Sequence, residues 1–493
     1  MTEKAVEQLA SAEPRHIQRR DRRRSQLSEW ARQMAPERDG WIRRNAFYYD
    51  DDRRYMRFLV PDGKSVVELG CGTGELLASL RPSVGVGVDL SSEMVAQARN
   101  RYPQFKFVVG DMESPETIHG LNGRFDIIIL SDAIGYLEDC QRTLGLVQSL
   151  CHRDSRIIIS YFSQAWRPLL KLAELLRMKM PQPAQNWLSP ADITNLLELE
   201  GFEPIKWEWR QLVPRRLGGI GPLVNRFVGT LPLVRSLSLR RYVVARSMRD
   251  VAMEHPSASI VIPCRNEAGN VEAAIQRLPR FCADMEVVFV EGHSRDNTVE
   301  AIQQVIADYP DWDIKFVQQD GKGKADAVRK GFDVARGDIL MILDADLTVA
   351  PEDLGKFYDA VASGKGNYVQ GTRLVYPLEP DAMRRLNVIA NHGFARLFSW
   401  LLNQRITDTL CGTKVLSAEH YRQLIEGHSY FGDFDPFGDF DLIFGASKLN
   451  LKMIELPVRY ADRSYGSTQI SRFKDGVLLM RMVVFAFRKL KAI

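Results

Sequence analysis

Asp344 and Asp346 are separated by one residue and follow Ile339-Leu340-Met341-Ile342-Leu343, an unbroken apolar run. Such a run marks a strand covered on both faces, and alternate side chains of a strand point the same way. Two carboxylates delivered together at the carboxyl end of a buried strand suit a divalent cation that keeps part of its coordination shell for phosphate oxygens. Taken alone, a D-x-D is more often a solvated acidic turn. What precedes this one changes the reading. A basic loop, Asp320-Gly321-Lys322-Gly323-Lys324, leads into Ala325, Val328, Phe332 and Ala335 at helical spacing, and Arg336-Gly337-Asp338 stops the helix. The order basic loop, helix, buried strand and D-x-D predicts a nucleotide-diphosphate site.

A second set of acids and glycines lies upstream. Val66-Val67-Glu68-Leu69 reads as a strand that runs into Gly70-Cys71-Gly72-Thr73-Gly74 and a helix start at Leu76-Leu77. Glycines at a strand-to-helix turn let the backbone approach a ligand closely. A strand at 85–88 ends in Asp89, placed for ribose hydroxyls. Phe107-Val108-Val109 leads to Asp111, whose oxygens can accept from an adenine amino group, and 125–130 ends in Ser131-Asp132. Strand ends at this spacing set their acids along one edge of a parallel sheet.

The elements that hold these residues fit an α/β chain. At 493 residues, several domains can each bury a core. The hydrophobic share of 45% and charged share of 26% are those of a globular protein, not a disordered one. The six cysteines are scattered without a C-x-x-C, so neither a zinc site nor a disulfide framework is indicated. The N-terminal stretch lacks a signal-like apolar region, and no apolar run approaches a spanning helix. The expectation is a cytoplasmic protein, or one peripheral on the inner membrane face.

Glu68, Gly70, Gly72 and Gly74 with Asp89, Asp111 and the 125–139 stretch FDIIILSDAIGYLED resemble class I S-adenosylmethionine-dependent methyltransferases over about residues 45–247. The resemblance implies that Glu68 and the three glycines face the methionine part of S-adenosylmethionine, Asp89 its ribose and Asp111 its adenine, with Ser131 beside them. The methyl acceptor is poorly marked. Ser131-Asp132-Ala133-Ile134 stands where base-methylating relatives carry D-P-P-Y or N-P-P-Y, which disfavours a nucleic-acid base. Asp132, His119 and His152 are the candidate bases for transfer to oxygen.

Downstream, Ser259-Ile260-Val261-Ile262-Pro263, Cys264-Arg265-Asn266-Glu267, the Glu291-Gly292-His293-Ser294 turn and the D-x-D together resemble family 2 glycosyltransferases of the GT-A fold. In motif order they are most similar to polyprenyl-phosphate sugar transferases of the dolichyl-phosphate mannosyltransferase type. The resemblance runs over about 258–475. It implies that Pro263, Arg265, Glu267 and Glu291 face the nucleotide, with Glu291 replacing the usual aspartate. Lys324 or Lys322 would meet the diphosphate, and Asp344 and Asp346 would bind ribose, diphosphate and a Mg²⁺ or Mn²⁺ ion. Arg463, Gly466 and Thr468 match the closing R-x-x-G-x-S-K, but Gln469 replaces its lysine, leaving Arg472 or Lys474 as substitutes. For a hydroxyl acceptor the base candidates are Asp441, then Asp439 or Asp435. A phosphate acceptor is already ionised and needs little base assistance.

The reading is a fusion of two α/β, Rossmann-like domains: a basic tail (1–45), a methyltransferase fold (46–247) with a basic insertion (214–239), a linker (248–257), a GT-A fold (258–475) and a C-terminal amphipathic helix (476–493). It implies a nucleotide-sugar donor, a polyprenyl-phosphate, lipid or glycan acceptor, and no nucleic-acid partner. The alternative is one active glycosyltransferase carrying a silent methyltransferase-like docking domain. Residues 210–249 hold nine arginines and no acid; with 384–405 and 477–491 they predict basic amphipathic surfaces suited to an anionic membrane. The competing expectation is that these are core helices with wet edges.

Overall fold

The computed structural model describes residues 22–376, 385–427, 430–431, 440–461, 465 and 472–493. The chain divides into two compact units, one ending at Asp250 and one spanning Val251–Ala492. Each is built on a seven-stranded mixed sheet.

In the first unit the strands are β1 (Ser65–Leu69), β2 (Val84–Asp89), β3 (Lys106–Val109), β4 (Ile127–Ser131), β5 (Arg156–Phe162), β6 (Phe202–Arg210) and β7 (Arg240–Ser247). Their spatial order is β3-β2-β1-β4-β5-β7-β6. The first five run parallel, and β7 inserts antiparallel between β5 and β6. Val67, Leu69, Val88, Ile128, Leu130 and Ile159 form its centre and are almost wholly buried. Chain direction across the sheet reverses between β1 and β4. That is where an open parallel sheet leaves a crevice beyond its carboxyl ends.

The second unit contains β8 (Ala258–Cys264), β9 (Met285–Glu291), β10 (Asp313–Gln318), β11 (Ile339–Ile342), β12 (Tyr368–Thr372), β13 (Lys414–Ser417) and β14 (Met453–Pro457). The order is β10-β9-β8-β11-β13-β12-β14, with β13 antiparallel to both neighbours. The expected buried strand is β11, with all four residues buried. Pairing continues one residue further, as Leu343 N–H donates to the Val261 carbonyl at 3.0 Å.

The surface expectations fare differently along the chain. Residues 22–44, within the expected basic tail, form helices 22–34 and Arg38–Arg44 that belong to the first unit. Trp30 stacks on Tyr136 at 6.4 Å and donates to the Pro181 carbonyl, and Arg23 pairs with Glu138 at 3.2 Å. Of the nine arginines in 210–249, Arg210, Arg240 and Arg246 are buried in the β6–β7 hairpin rather than on the surface. In 385–405, Phe398, Leu401 and Leu402 are core residues, which favours the wet-edged core helix; Arg384 lies outside the described residues. At the C-terminus Lys491 is fully buried and donates to Asn403 Oδ1 at 2.8 Å, while Val477, Met480, Arg481, Val484 and Arg488 stay exposed, as a basic amphipathic face would.

Glu68 shows how the β1 turn is secured. It is 3% exposed and accepts the Leu77 N–H at 3.0 Å, holding the first turn of the helix Glu75–Ser79. Burial is the largest influence on its carboxyl and raises it from 4.5 to about 8. A group raised in the folded state favours folding at low pH, and that advantage is lost as pH rises toward the folded value. Relative to Glu68→Gln, the native protein should therefore lose stability, by roughly a few kcal/mol, between pH 4.5 and 8. Urea unfolding of both proteins across that range checks it; parallel stability curves would contradict it.

Candidate functional sites

The first site fills the crevice between β1 and β4. A cavity of about 620 Å³ opens there, walled on one side by Gly70, Gly72, Asp89, Asp111, Met112 and Ser131. Gly70 has φ +83°, and a Cβ on it would lie 3.0 Å from the Ala133 Cβ, so the turn requires glycine. Gly72 has φ +52° and only the Arg38 guanidinium near its open side. Asp89 accepts the Gly72 N–H at 2.7 Å and the Ser91 N–H at 3.0 Å. Burial raises its carboxyl, against these two donors. Asp111 accepts the Glu113 N–H at 2.9 Å and lies 3.5 Å from Arg24 Nε. Ser131 shares a hydrogen bond of 3.1 Å with Ser160. Glu68 and Gly74 do not line the cavity. They shape the turn from behind, with Gly74 against the Phe107 ring.

The other wall was not legible in the sequence. Arg38, Trp41, Tyr48 and Tyr49 reach the cavity from the two helices Arg38–Arg44 and Ala46–Leu59. Arg38 Nε is buried without a hydrogen-bond partner. A guanidinium poised beside the glycine turn fits the carboxylate of an amino-acid moiety. Asp132 also lines the cavity, with left-handed backbone (φ 55°), an uncommon conformation that collects at functional sites. Its Oδ2 accepts from Arg240 Nη1 at 2.9 Å. Arg240, 1% exposed, also donates to Ser160 at 2.7 Å, bonds Tyr48 Oη and lies 3.4 Å from Asp52. Asp52 in turn accepts from Tyr242 at 2.6 Å. The only sequence signal for this network was an arginine inside a strand pattern. His119 and His152 do not line the cavity; His152 pairs with Asp126 at 3.5 Å.

The second site sits beyond the carboxyl ends of β8, β9 and β11. Lys324, first residue of the helix Lys324–Val334, meets Asp344 at 2.5 Å. Burial opposes ionisation of Asp344, but Lys324, with Lys414 and Arg373 behind it, outweighs burial and holds the carboxyl below the usual carboxylate range. Gly412 lies against this pair, where a Cβ would fall 1.8 Å from Asp344 Oδ2. Asp346 accepts from the Thr348 N–H at 3.2 Å and its hydroxyl at 2.8 Å, and the next residue, Leu347, is left-handed at φ 51°. Among the described residues, no group of three or more His, Cys, Asp or Glu could hold a metal. Two carboxylates just past a strand end still fit a hard cation that takes its remaining oxygens from a diphosphate.

Around this pair, Pro263 and Cys264 end β8 in register with Val290 and Glu291 of β9. Arg265 is exposed, and Glu267 accepts from Asn270 Nδ2 at 2.7 Å. Glu291, 1% exposed, is bonded to the Ser294 N–H and to Gln318 Nε2 at 3.2 Å. Burial works to raise its carboxyl, yet these donors hold it low. Arg373 and Asp408 form a buried bidentate pair at 2.6 and 2.8 Å, which braces the segment leading to Gly412. Asp441 is not brought to the D-x-D by any described contact. It sits 3.4 Å from Arg329 at the start of the helix Phe440–Lys448. Asp435, Asp439, Arg463, Gly466, Thr468 and Gln469 lie outside the described residues, as do the side chains of Arg472 and Lys474.

Comparison with known proteins matches each half of the chain to a family. Residues 41–206 match the family model for a methyltransferase domain, and residues 259–424 that of glycosyl transferase family 2. The chain thus carries a methyltransferase domain in its first unit and a family 2 glycosyltransferase domain in its second. Glycosyltransferase AglD of Haloferax volcanii is 28% identical over 44% of this chain and 35% of its own length. A dolichol-phosphate mannosyltransferase of Pyrococcus furiosus is 32% identical over 24% of this chain and 34% of its own. The chain thus spans about a third of the length of these two relatives. A SAM-dependent methyltransferase structure from Thermotoga maritima aligns with 44% of this chain and 99% of its own, at 18% identity and a TM-score of 0.35.

Gly412 is where the second site has least room. Gly412→Ala should leave a folded protein but push Asp344 from Lys324, lowering sugar transfer about 10²-fold, the scale of an ångström-sized misplacement. Initial rates with a nucleotide-sugar donor, beside a thermal melt, check this. Unchanged rates in a folded variant would place the reacting groups elsewhere.

Proposed function

We propose that the C-terminal domain transfers a sugar from a nucleotide-sugar donor to a polyprenyl-phosphate acceptor, and that the N-terminal domain transfers a methyl group from S-adenosylmethionine. The observation that carries the first half is the Lys324–Asp344 pair beside Asp346, fitted against Gly412 at the end of β11. A Mg²⁺ or Mn²⁺ ion held by Asp344 and Asp346 would supply positive charge for the departing nucleoside diphosphate. Lys324 stands at a helix N-terminus, where the backbone N–H groups and dipole also favour phosphate. A phosphate arriving there gives Lys324 a second anion, so its ammonium can turn from Asp344 to the leaving group. The nucleotide part would lie over Pro263, Arg265, Glu267 and the Glu291 turn.

Proton bookkeeping suits this acceptor. A hydroxyl acceptor requires a carboxylate to take its proton, for which Asp441, 3.4 Å from Arg329, is the candidate among the described residues. A phosphate acceptor loses no proton and needs no such base. The relatives named for dolichol phosphate and undecaprenyl phosphate support that choice. In the N-terminal domain, Gly70, Gly72, Asp89, Asp111 and Ser131 would hold the cofactor, with Arg38 on its carboxylate. Among the described residues no helix is long and apolar enough to cross a membrane. Attachment to an anionic membrane surface would therefore rest on exposed apolar residues ringed by arginine.

Asp346→Asn should lower sugar transfer by about 10²-fold or more, the range seen when one charge-stabilising group is lost, and EDTA should do the same to the native protein. S-adenosylhomocysteine binding, followed by calorimetry, should survive both. Sugar transfer that persists in EDTA and in the variant would overturn the assignment of the D-x-D.

A further inference from the structure

The methyltransferase cavity continues well beyond its cofactor wall. Past Asp132 it is lined by Phe162, Trp166, Leu170, Met180 and Leu239, and it reaches Leu169 and Leu217 at the surface. Those two residues belong to an exposed apolar field. On the helix Arg167–Leu175 and just after it, Leu172, Leu175 and Leu176 are 50–79% exposed; across 217–237, Ile220, Leu223 and Leu233 are 59–90% exposed. Side chains of this size are not left in water together without an apolar partner. The 217–237 segment is pinned rather than loose, since the Asn225 amide exchanges two hydrogen bonds with the Val213 backbone at 2.8 and 3.0 Å. Arg215, Arg216 and Arg226 are exposed among these residues, and no acid occurs between 210 and 249.

At the inner end of the apolar passage the polar groups are incomplete. Asp132 Oδ1 and Tyr136 Oη are buried and have no hydrogen-bond partner, and both residues line the cavity. A buried oxygen without a partner is costly unless a ligand supplies one. Asp132 can only accept while ionised, whereas Tyr136 can donate. A hydroxyl satisfies both, because it donates to one and accepts from the other. A phosphate or carboxylate head would instead set a second anion beside Asp132.

We propose that the methyl acceptor is an amphiphile, with a hydroxyl head held between Asp132 and Tyr136 and an apolar chain running past Trp166 and Leu170 to the exposed leucines. This deepens the methyltransferase reading of the cavity and rests on it. The head's oxygen lone pair forms the new bond to the methyl carbon, and the electron pair of the breaking carbon–sulfur bond goes to sulfur. The hydroxyl proton passes to Asp132 and then to water. The products are a methyl ether and S-adenosylhomocysteine. The arginine rim faces the anionic headgroups from which such a molecule would be drawn.

The test follows tryptophan fluorescence of the full-length protein, loaded with S-adenosylhomocysteine, as nitroxide-labelled dodecanol is added. Saturable quenching is expected, reduced in Trp166→Phe. Leu169→Asp, a change at a half-exposed position, should weaken the probe's binding at least tenfold. The probe is offered free and in neutral or anionic vesicles. Binding only from vesicles identifies a bilayer source and binding of the free probe a dispersed one, and either supports the inference. Saturable S-adenosylhomocysteine binding without quenching would overturn the amphiphile while keeping the methyltransferase reading, as would equal probe affinity in a folded Leu169→Asp. Absence of S-adenosylhomocysteine binding in calorimetry would overturn both.

Discussion

A carboxylate shielded at the end of a strand must find donors, and in both halves of this protein it finds them in the loops of the sheet edge. Asp89 takes the N–H groups of Gly72 and Ser91, Asp111 that of Glu113, Glu291 that of Ser294 and Asp346 that of Thr348. Each such bond fixes the loop that the strand delivers to the sheet edge. The acids that the sequence marks as ligand contacts are therefore also the residues that build the sites. Binding and architecture share the same oxygens, and losing one acid costs loop geometry as well as a contact.

Two carboxylates depart from that pattern by taking a cation. Asp344 pairs with Lys324, and Asp132 with the buried Arg240. Breaking a shielded pair leaves an uncompensated charge, so each partner needs a replacement. For Lys324 the proposed replacement is an arriving phosphate, which would make the pair responsive to the donor. Arg240 is surrounded by Tyr48, Ser160, Asp52 and Asp132 and is fixed. The first pair suits a group that shifts its charge during reaction. The second suits a wall that keeps Asp132 in one place while its other oxygen stays unbonded.

Much of this was legible in the sequence because period and punctuation carry it. The apolar run 339–343 and the glycine turn at 70–74 fall where expected, and Asp89 ends β2; Asp111, Asp344 and Asp346 lie past the ends of β3 and β11, so a loop and not strand alternation sets the direction of the D-x-D. What was not legible depends on distant packing. Arg38 and Trp41 sit in the basic tail and Tyr48 just beyond it, and only their approach to the sheet turns them into a cavity wall. Arg240 and Arg246 were counted as surface basicity, because a strand's register decides which arginine turns inward. Glu68 reads as a ligand contact, but the Leu77 N–H it accepts lies on the far side of the turn. Asp441 looked like a base from its acidic neighbourhood, and its described partner is Arg329.

The central claim is that one chain carries two independent transferase sites whose acceptors are lipids. It is tested most directly by mass spectrometry of the products from purified protein given S-adenosylmethionine, a panel of nucleotide sugars and a lipid extract. The account predicts two classes of modified lipid, one gaining a sugar on phosphate and one gaining a methyl group, each disappearing when its own donor is withheld. Products confined to the water-soluble fraction, or a methyl gain that never occurs in any lipid, would contradict it.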